Sequence, residues 1–402
     1  MNRFLFYSHD ALGLGHIRRT MAVAGHLVRR FPDASALIMT GSDVATRFPN
    51  PDGIDFVKLP TIQKVGNDEY VSRDLDLDAD EIFAIRTSMM RSIYESFRPD
   101  IVVVDKHPTG VRGELLPLLE MSVGEPTRWV LSLRDILDRP ETVISSWRKS
   151  GDYGILEKRY DKILVWGMRD LFDPTDAYRF SRAIKDKVAF CGYINRFGSP
   201  NSGLDEKSSR QPLVLATPGG GEDGYPILES FIRALDYTSA KFASVIVFGP
   251  YMAQEHRDKL RSLMGKTKGN VFAIDFTSRL ERFVRSADLV VSMAGYNTVS
   301  EILAARTRAI LVPRVEPRIE QLIRARRLMD RDLATMLHPE RLSPELMALA
   351  IDMELEKEKP AGTGLEFTGL DRALDELTPF VVRGVHPGEN GEGSVSASED
   401  LR

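Results

Sequence analysis

Residues 289–329 read LVVSMAGYNTVSEILAARTRAILVPRVEPRIEQLIRARRLM, and this stretch decides the fold class. Leu289–Ser292 is a short, wholly apolar run closed by a serine, and small residues turn the chain after it. Thr298–Ala305 then shows helical spacing, a second apolar run follows at Ala309–Val312, and Ile319–Met329 is helical again. Strands with no polar face, each followed by an amphipathic helix, belong to a parallel sheet covered on both sides.

The same rhythm extends in both directions. The first half predicts strands at Phe4–Ser8, Ala36–Thr40, Phe56–Leu59, Ile101–Asp105, Trp129–Leu133, Ile163–Trp166 and Val188–Cys191, with helices at Ile17–Phe31 and Asp80–Phe97. The second half adds strands at Leu213–Ala216, Ser244–Phe248 and Val271–Ile274, with helices near Pro226–Asp236 and Ala253–Leu263. Between the halves, FGSPNSGLDEKSSRQ (197–211) is polar and lacks periodicity, which predicts a linker. The chain is therefore expected to divide into an N-terminal α/β domain (1–196), a linker (197–211), a C-terminal α/β domain (212–380) and a disordered tail (381–402). At 402 residues, two cores are expected in place of one.

Composition narrows the function classes. A net charge of −4 with no long basic block argues against a nucleic-acid partner. One cysteine, Cys191, excludes a disulfide framework and any thiolate metal cluster, and it suits a reducing, cytoplasmic setting. No signal peptide or spanning segment is visible, which leaves only peripheral membrane contact open. The histidines show no metal-ligand spacing and no GxSxG elbow is present. The acidic run Asp74–Asp80 lacks the glycine and terminal glutamate of a calcium loop and reads as the approach to a helix N-terminus.

In open parallel sheets, ligands bind beyond the carboxyl ends of the strands, so the loops there hold the candidate residues. After the first strand, Gly13 and Gly15 permit a tight turn and close ligand approach, and His16 sits at the helix start. His16 has the chemistry to accept a proton from a hydroxyl, and the same placement also suits a residue that only packs there. Arg18 stands where a dinucleotide fingerprint needs glycine, which argues against nicotinamide. Gly219, Gly220 and Gly221 form an anion cradle or a plain turn, with Glu222 and Asp223 as caps for the next helix.

Gly295, Tyr296, Asn297 and Thr298 open a helix whose amides can receive a diphosphate. Glu301, one turn in, is placed for a ribose diol or else is a solvated helix residue, and Glu320 and Gln321 can hydrogen-bond sugar hydroxyls. In the first half, Asp105, Lys106, His107, Arg134 and Asp135 follow parallel strands on the cleft side. They suit an anionic or polyhydroxy acceptor, or else form a local salt-bridge cluster. The arginines of 318–327 read as a solvated helical face.

The run AGYNTVSEIL…AILVPR…EQLIRA resembles the donor-binding signature of GT-B glycosyltransferases, with a likeness to the MurG-like, family-28-like group. That group adds N-acetylglucosamine to a lipid-linked peptidoglycan precursor. GLGH (13–16) and TPGGGEDG (217–224) are similar to its two glycine-rich loops. DKHP (105–108), GEL (113–115) and LRDIL (133–137) look like a less characterised group of predicted glycosyltransferases.

The resemblance implies two Rossmann-like, doubly wound domains facing across a cleft. It implies His16 as base, Arg196 on a phosphate, Thr277 and Leu280 around the base, Glu301 on the ribose, and Glu320 with Gln321 on the transferred sugar. Arg18, Asp105, Lys106, His107, Arg134 and Asp135 fall on the acceptor side. The expected activity is metal-independent, cofactor-free, inverting transfer from a uridine-linked sugar to an unidentified small-molecule or lipid-linked acceptor. The alternatives are a hydrolysing UDP-N-acetylglucosamine 2-epimerase and a silent nucleotide-sugar-binding subunit.

Overall fold

The computed structural model describes residues 2–8, 15–43, 45, 51–65, 70–195, 211–360 and 362–381. Fifteen strands are present among them: β1 (Arg3–Ser8), β2 (Ser35–Thr40), β3 (Ile54–Lys58), β4 (Ile62–Lys64), β5 (Tyr70–Ser72), β6 (Ile101–Asp105), β7 (Arg128–Arg134), β8 (Lys162–Trp166), β9 (Val188–Phe190), β10 (Leu213–Thr217), β11 (Ala243–Val247), β12 (Asn270–Ile274), β13 (Leu289–Ser292), β14 (Arg308–Leu311) and β15 (Thr335–Met336).

Among the same residues the helices are α1 (Gly15–Arg30), α2 (Ala79–Phe97), α3 (Leu116–Met121), α4 (Pro140–Ser150), α5 (Asp152–Arg159), α6 (Pro174–Ala177), α7 (Arg182–Lys185), α8 (Tyr225–Ala234), α9 (Gln254–Met264), α10 (Leu280–Ser286), α11 (Tyr296–Ala304), α12 (Glu320–Met329), α13 (Pro344–Glu356) and α14 (Gly369–Val381). None of them is long and apolar enough to cross a membrane.

The strands form a seven-stranded sheet, β3-β2-β1-β6-β7-β8-β9, and a six-stranded sheet, β12-β11-β10-β13-β14-β15, with β4-β5 as a small antiparallel pair. All pairings in the two large sheets are parallel. Every residue of β6 and β13 is buried, as strands covered on both faces require. α2 begins where the acidic run ends: Asp78 accepts from the amides of Asp80 and Glu81, and the Glu81 carboxylate accepts from the Asp78 amide.

The chain returns to its first half at the end. Tyr193 donates its amide to the Glu366 carbonyl at 2.7 Å, and the Gly369 amide donates to Tyr193 at 3.1 Å. Gly192, at φ +81°, leaves no room for a side chain, because a Cβ would lie 2.7 Å from the Glu366 carbonyl. Ala373, Leu374, Leu377 and Val381 of α14 share a core with Val23 and Leu27 of α1. Lys162 and Glu376 close the contact at 2.7 Å. Thus 369–381, within the stretch expected to belong to the second half, completes the first. The linker stretch, apart from Gln211, and residues 382–402 lie outside the described residues.

Candidate functional site

Strand order reverses direction at β1/β6 in one sheet and at β10/β13 in the other. These switch points are where an open α/β sheet leaves a crevice beyond its strand ends, and here the two crevices face each other. Gly15 from the first sheet meets α11 from the second: the Asn297 side chain donates to the Gly15 carbonyl at 3.0 Å. Ser300 donates to the Ile194 carbonyl at 2.8 Å. Ile17, Tyr193, Ile194, Tyr296 and Val299 pack in one apolar core across the seam.

At the start of α1, the His16 ring contacts Asp105, the last residue of β6, through Nδ1, and Arg19 one turn on bonds the other Asp105 oxygen. Burial opposes the Asp105 charge, but Arg19 and His16 hold its carboxyl well below the ordinary range. Burial pushes the His16 imidazole down to about 3, against the pull of Asp105. The ring is therefore neutral at pH 7 beside an ionised carboxylate. Nδ1 can only donate to that carboxylate, so the tautomer is fixed and Nε2 becomes the ring's acceptor nitrogen. An ionised partner therefore orients the ring.

The glycine-rich loop follows β10. Gly219 and Gly221 have φ of +81° and +101°. The Gly219 amide is committed to the Thr217 hydroxyl at 3.3 Å. Among the described residues, the amides of Gly220 and Gly221 have no hydrogen-bond partner. A Cβ on Gly219 would sit 3.5 Å from the Thr298 hydroxyl, so the loop lies against the start of α11. Neither α1 nor α11 has an acidic residue in its first turn, and the Gly295 N-cap of α11 makes no side-chain bond.

Two positive helix ends and a glycine turn therefore share one space. Gly249 holds this loop, because a Cβ there would lie 2.4 Å from the Gly219 carbonyl at φ +92°. Gly249→Ala should cost at least ~1–2 kcal/mol through the left-handed backbone alone. Urea unfolding of the variant measures that loss.

The structure places the remaining predicted residues as follows. The Tyr296 side chain is buried beside Tyr193, with ring centroids 6.0 Å apart, so only its backbone faces the helix end. Glu301 is buried and accepts from Arg18 at 2.8 Å across the seam. Glu320 accepts from Arg314 at 2.9 Å, and Gln321 accepts from the Arg314 amide at 3.1 Å, which ties both to the loop after β14. Thr277 is half-buried and accepts from the Arg279 amide at 3.1 Å, while Leu280 is in the core. His107 lies beside Lys106 on the same loop. Gly13 and Arg196 lie outside the described residues.

Two expectations are corrected. Asp223 faces Arg314 at 3.5 Å, and α8 is capped by Gly224 without a side-chain bond, so Glu222 and Asp223 do not cap it. Arg326 and Arg327 are exposed as expected, but Arg324 is 0% exposed. Arg324 lies on the same stripe as Gln321, Ala325 and Leu328, the spacing that marks a buried face. It grips Asp135 through Nε at 3.0 Å and Nη2 at 2.6 Å and donates Nη1 to the Ala294 carbonyl at 2.8 Å.

Arg324 and Arg19 are residues of the candidate site that the sequence did not single out. Asp105 and Asp135 are thus paired within the protein. Among the described residues the side chains of Lys106 and Arg134 have no such partner, and a cavity of about 630 Å3 is lined by Asp138, Arg139, Thr142, Val315, Glu316, Pro317 and Ile319.

Residues 227–366 match the glycosyltransferase family 28 C-terminal domain. An uncharacterized glycosyltransferase of Methanopyrus kandleri is 28% identical over 161 residues, 40% of this chain and 43% of that protein. That match spans less than half of the relative's length. A UDP-N-acetylglucosamine--N-acetylmuramyl-(pentapeptide) pyrophosphoryl-undecaprenol N-acetylglucosamine transferase of Parabacteroides distasonis is 24% identical over 394 residues, 91% of this chain and 95% of that one. The crystal structure of the calicheamicin glycosyltransferase CalG4 has the same fold, with a TM-score of 0.61 at 15% identity over 96% of this chain and all of the other. With two parallel sheets joined at their switch points, a match to the family 28 C-terminal domain and a 24% likeness along its length to a MurG-type protein, the chain has the GT-B fold and is similar to the MurG-like, family-28-like glycosyltransferases.

Proposed function

We propose that the protein transfers a sugar from a uridine-diphosphate sugar to an acceptor hydroxyl or amine, with inversion and without a metal. One observation carries this reading: two helix starts without acidic residues in their first turns meet beside a glycine turn, and one of them carries an oriented His–Asp pair. The diphosphate would lie against the amides of Gly220, Gly221 and the first turn of α11, with Arg196 as a further partner. Ribose would displace Arg18 from Glu301, and the sugar would meet Glu320 and Gln321.

The acceptor oxygen attacks the anomeric carbon as its proton passes to His16 Nε2. The bond from that carbon to the diphosphate oxygen breaks, and UDP leaves with the electron pair. Asp105 stabilises the imidazolium that forms. The arriving diphosphate adds negative charge near His16 and raises its proton affinity, so base strength rises on donor binding. Oriented amides stabilise the leaving group as its charge develops, which is the task a metal would otherwise perform. The relatives matched are transferases, so transfer takes precedence over the hydrolysing epimerase reading.

The test is thermal unfolding with UDP, UDP-glucose and UDP-N-acetylglucosamine, since a ligand that binds the folded state raises its stability. UDP should stabilise the protein, and ADP should do so less. No shift with any nucleoside diphosphate would refute the donor assignment. UDP-N-acetylglucosamine incubated alone should yield no free 2-epimer.

pH dependence gives an independent check. His16 titrates near 6.5 when unfolded and at about 3 when folded, so unfolding takes up a proton between those values. Its contribution to stability is complete above about 6.5 and is lost as pH falls toward 3. The Tm of His16→Ala should accordingly fall less steeply than that of the wild type on acidification. The acid limb of kcat/KM should lie well below 6.5.

A further inference from the structure

Charges around the outer end of the seam are mostly matched. Asp105 is taken by Arg19 and His16, Asp135 by Arg324, and Glu320 by Arg314 at 2.9 Å. Arg318 stands 3.9 Å from Asp138. Lys106 and Arg134 are left over. Lys106 is 6% exposed, yet its ammonium makes no hydrogen bond or ion pair among the described residues. Arg134 likewise has no partner there, and its Nε is buried.

The two residues sit side by side, because Lys106 follows β6, Arg134 ends β7, and the Lys106 amide donates to the Ser132 carbonyl at 2.9 Å. Lys106 is also held at φ +70°, a region that disfavours any side chain. Burial, then Arg318 and Arg134, push its ammonium well below the ordinary lysine range. Burial lowers Arg134 to about 10, with Glu320 pulling the other way, so its charge persists at neutral pH.

A buried amine and a buried guanidinium without partners among the described residues are costly, and a fold that keeps them together is prepared for a ligand whose negative charge would favour a proton on Lys106. Neutral hydroxyls would not balance them. Both heads lie within electrostatic reach of Glu320, at the end of the seam assigned above to the sugar, and of Arg318, whose chain neighbours Pro317 and Ile319 line the cavity of about 630 Å3. We propose that Lys106 and Arg134 together receive an anionic group, a carboxylate or a phosphate, carried by one of the two substrates. This rests on the glycosyl-transfer reading for its place in the reaction. The group would be either the carboxylate of a uronic-acid donor or a phosphate on the acceptor.

The experiment is thermal unfolding in saturating UDP, with inorganic phosphate titrated against chloride at equal ionic strength. UDP fills the diphosphate site, so any further phosphate effect reports a second anion site. Phosphate should stabilise the wild type further, and the Lys106→Met/Arg134→Met double variant should lose that response. Without ligand, the double variant should be as stable as the wild type or more so, because the unpaired charges are gone. A structural role for the pair would instead lower its Tm.

The source is read from affinities. Preference for UDP-glucuronate over UDP-glucose by about tenfold, lost in the double variant, identifies the donor's carboxylate. Equal affinities with the phosphate response intact identify the acceptor. If phosphate adds nothing to the UDP-bound wild type and UDP-glucuronate binds no better than UDP-glucose, the proposal is overturned. If UDP itself gives no shift, the donor reading fails. The phosphate response of wild type against double variant, measured without UDP, then still decides whether these residues hold an anion.

Discussion

Replacing His16 by Ala should lower kcat by roughly 10²–10⁴-fold, the span that general-base catalysis contributes, while the affinity for UDP changes only a few-fold. The asymmetry follows from geometry. In the proposed mechanism His16 is held by Asp105 while the diphosphate lies against the glycine turn and α11, so its removal would take away a proton acceptor and leave the diphosphate contacts in place. Asp105→Asn should fall in the same range. An amide beside Arg19 cannot hold the imidazole as its Nδ1 tautomer, and Nε2 would no longer be presented as the acceptor. Single-turnover measurement with a saturating acceptor separates the chemical step from product release. Turnover of His16→Ala within a few-fold of wild type would leave the protein without its assigned base.

The second large effect concerns stability. Asp135 and Arg324 are 1% and 0% exposed and bind each other through two hydrogen bonds across the seam. Removing one member of such a pair strands a charge in a medium that cannot solvate it, and the usual cost is ~3–5 kcal/mol. Asp135→Ala should therefore lower the urea-unfolding free energy by that amount. The double variant Asp135→Leu/Arg324→Met should recover most of the loss, because two apolar side chains leave no unpaired charge behind. A loss below about 1 kcal/mol in the single variant would mean that water reaches the pair.

The long apolar strands were legible because burial on both faces leaves one reading. Ile101–Asp105 and Leu289–Ser292 have the expected bounds to the residue. The β4-β5 pair and β15 have three residues or fewer in each strand, too few for any periodicity to register. The site's parts were visible as loops after strands, since strand ends are where a parallel sheet binds ligands. Their pairing was not. Arg18 and Glu301 are 283 positions apart and Asp135 and Arg324 are 189 apart, and spacing carries information only within one element. That Asp105 belongs to a salt-bridge cluster could therefore be seen only once Arg19 was found beside it.

The crossing of α14 onto α1 has a consequence for synthesis. A ribosome releases this chain from its amino end, and domains commonly fold in that order. Here the first domain lacks one of its packing partners until Val381 has left the exit tunnel, because Ala373, Leu374 and Leu377 cover the apolar stripe of α1. The amino-terminal domain thus waits, part of its surface uncovered, for residues 369–381 to be made.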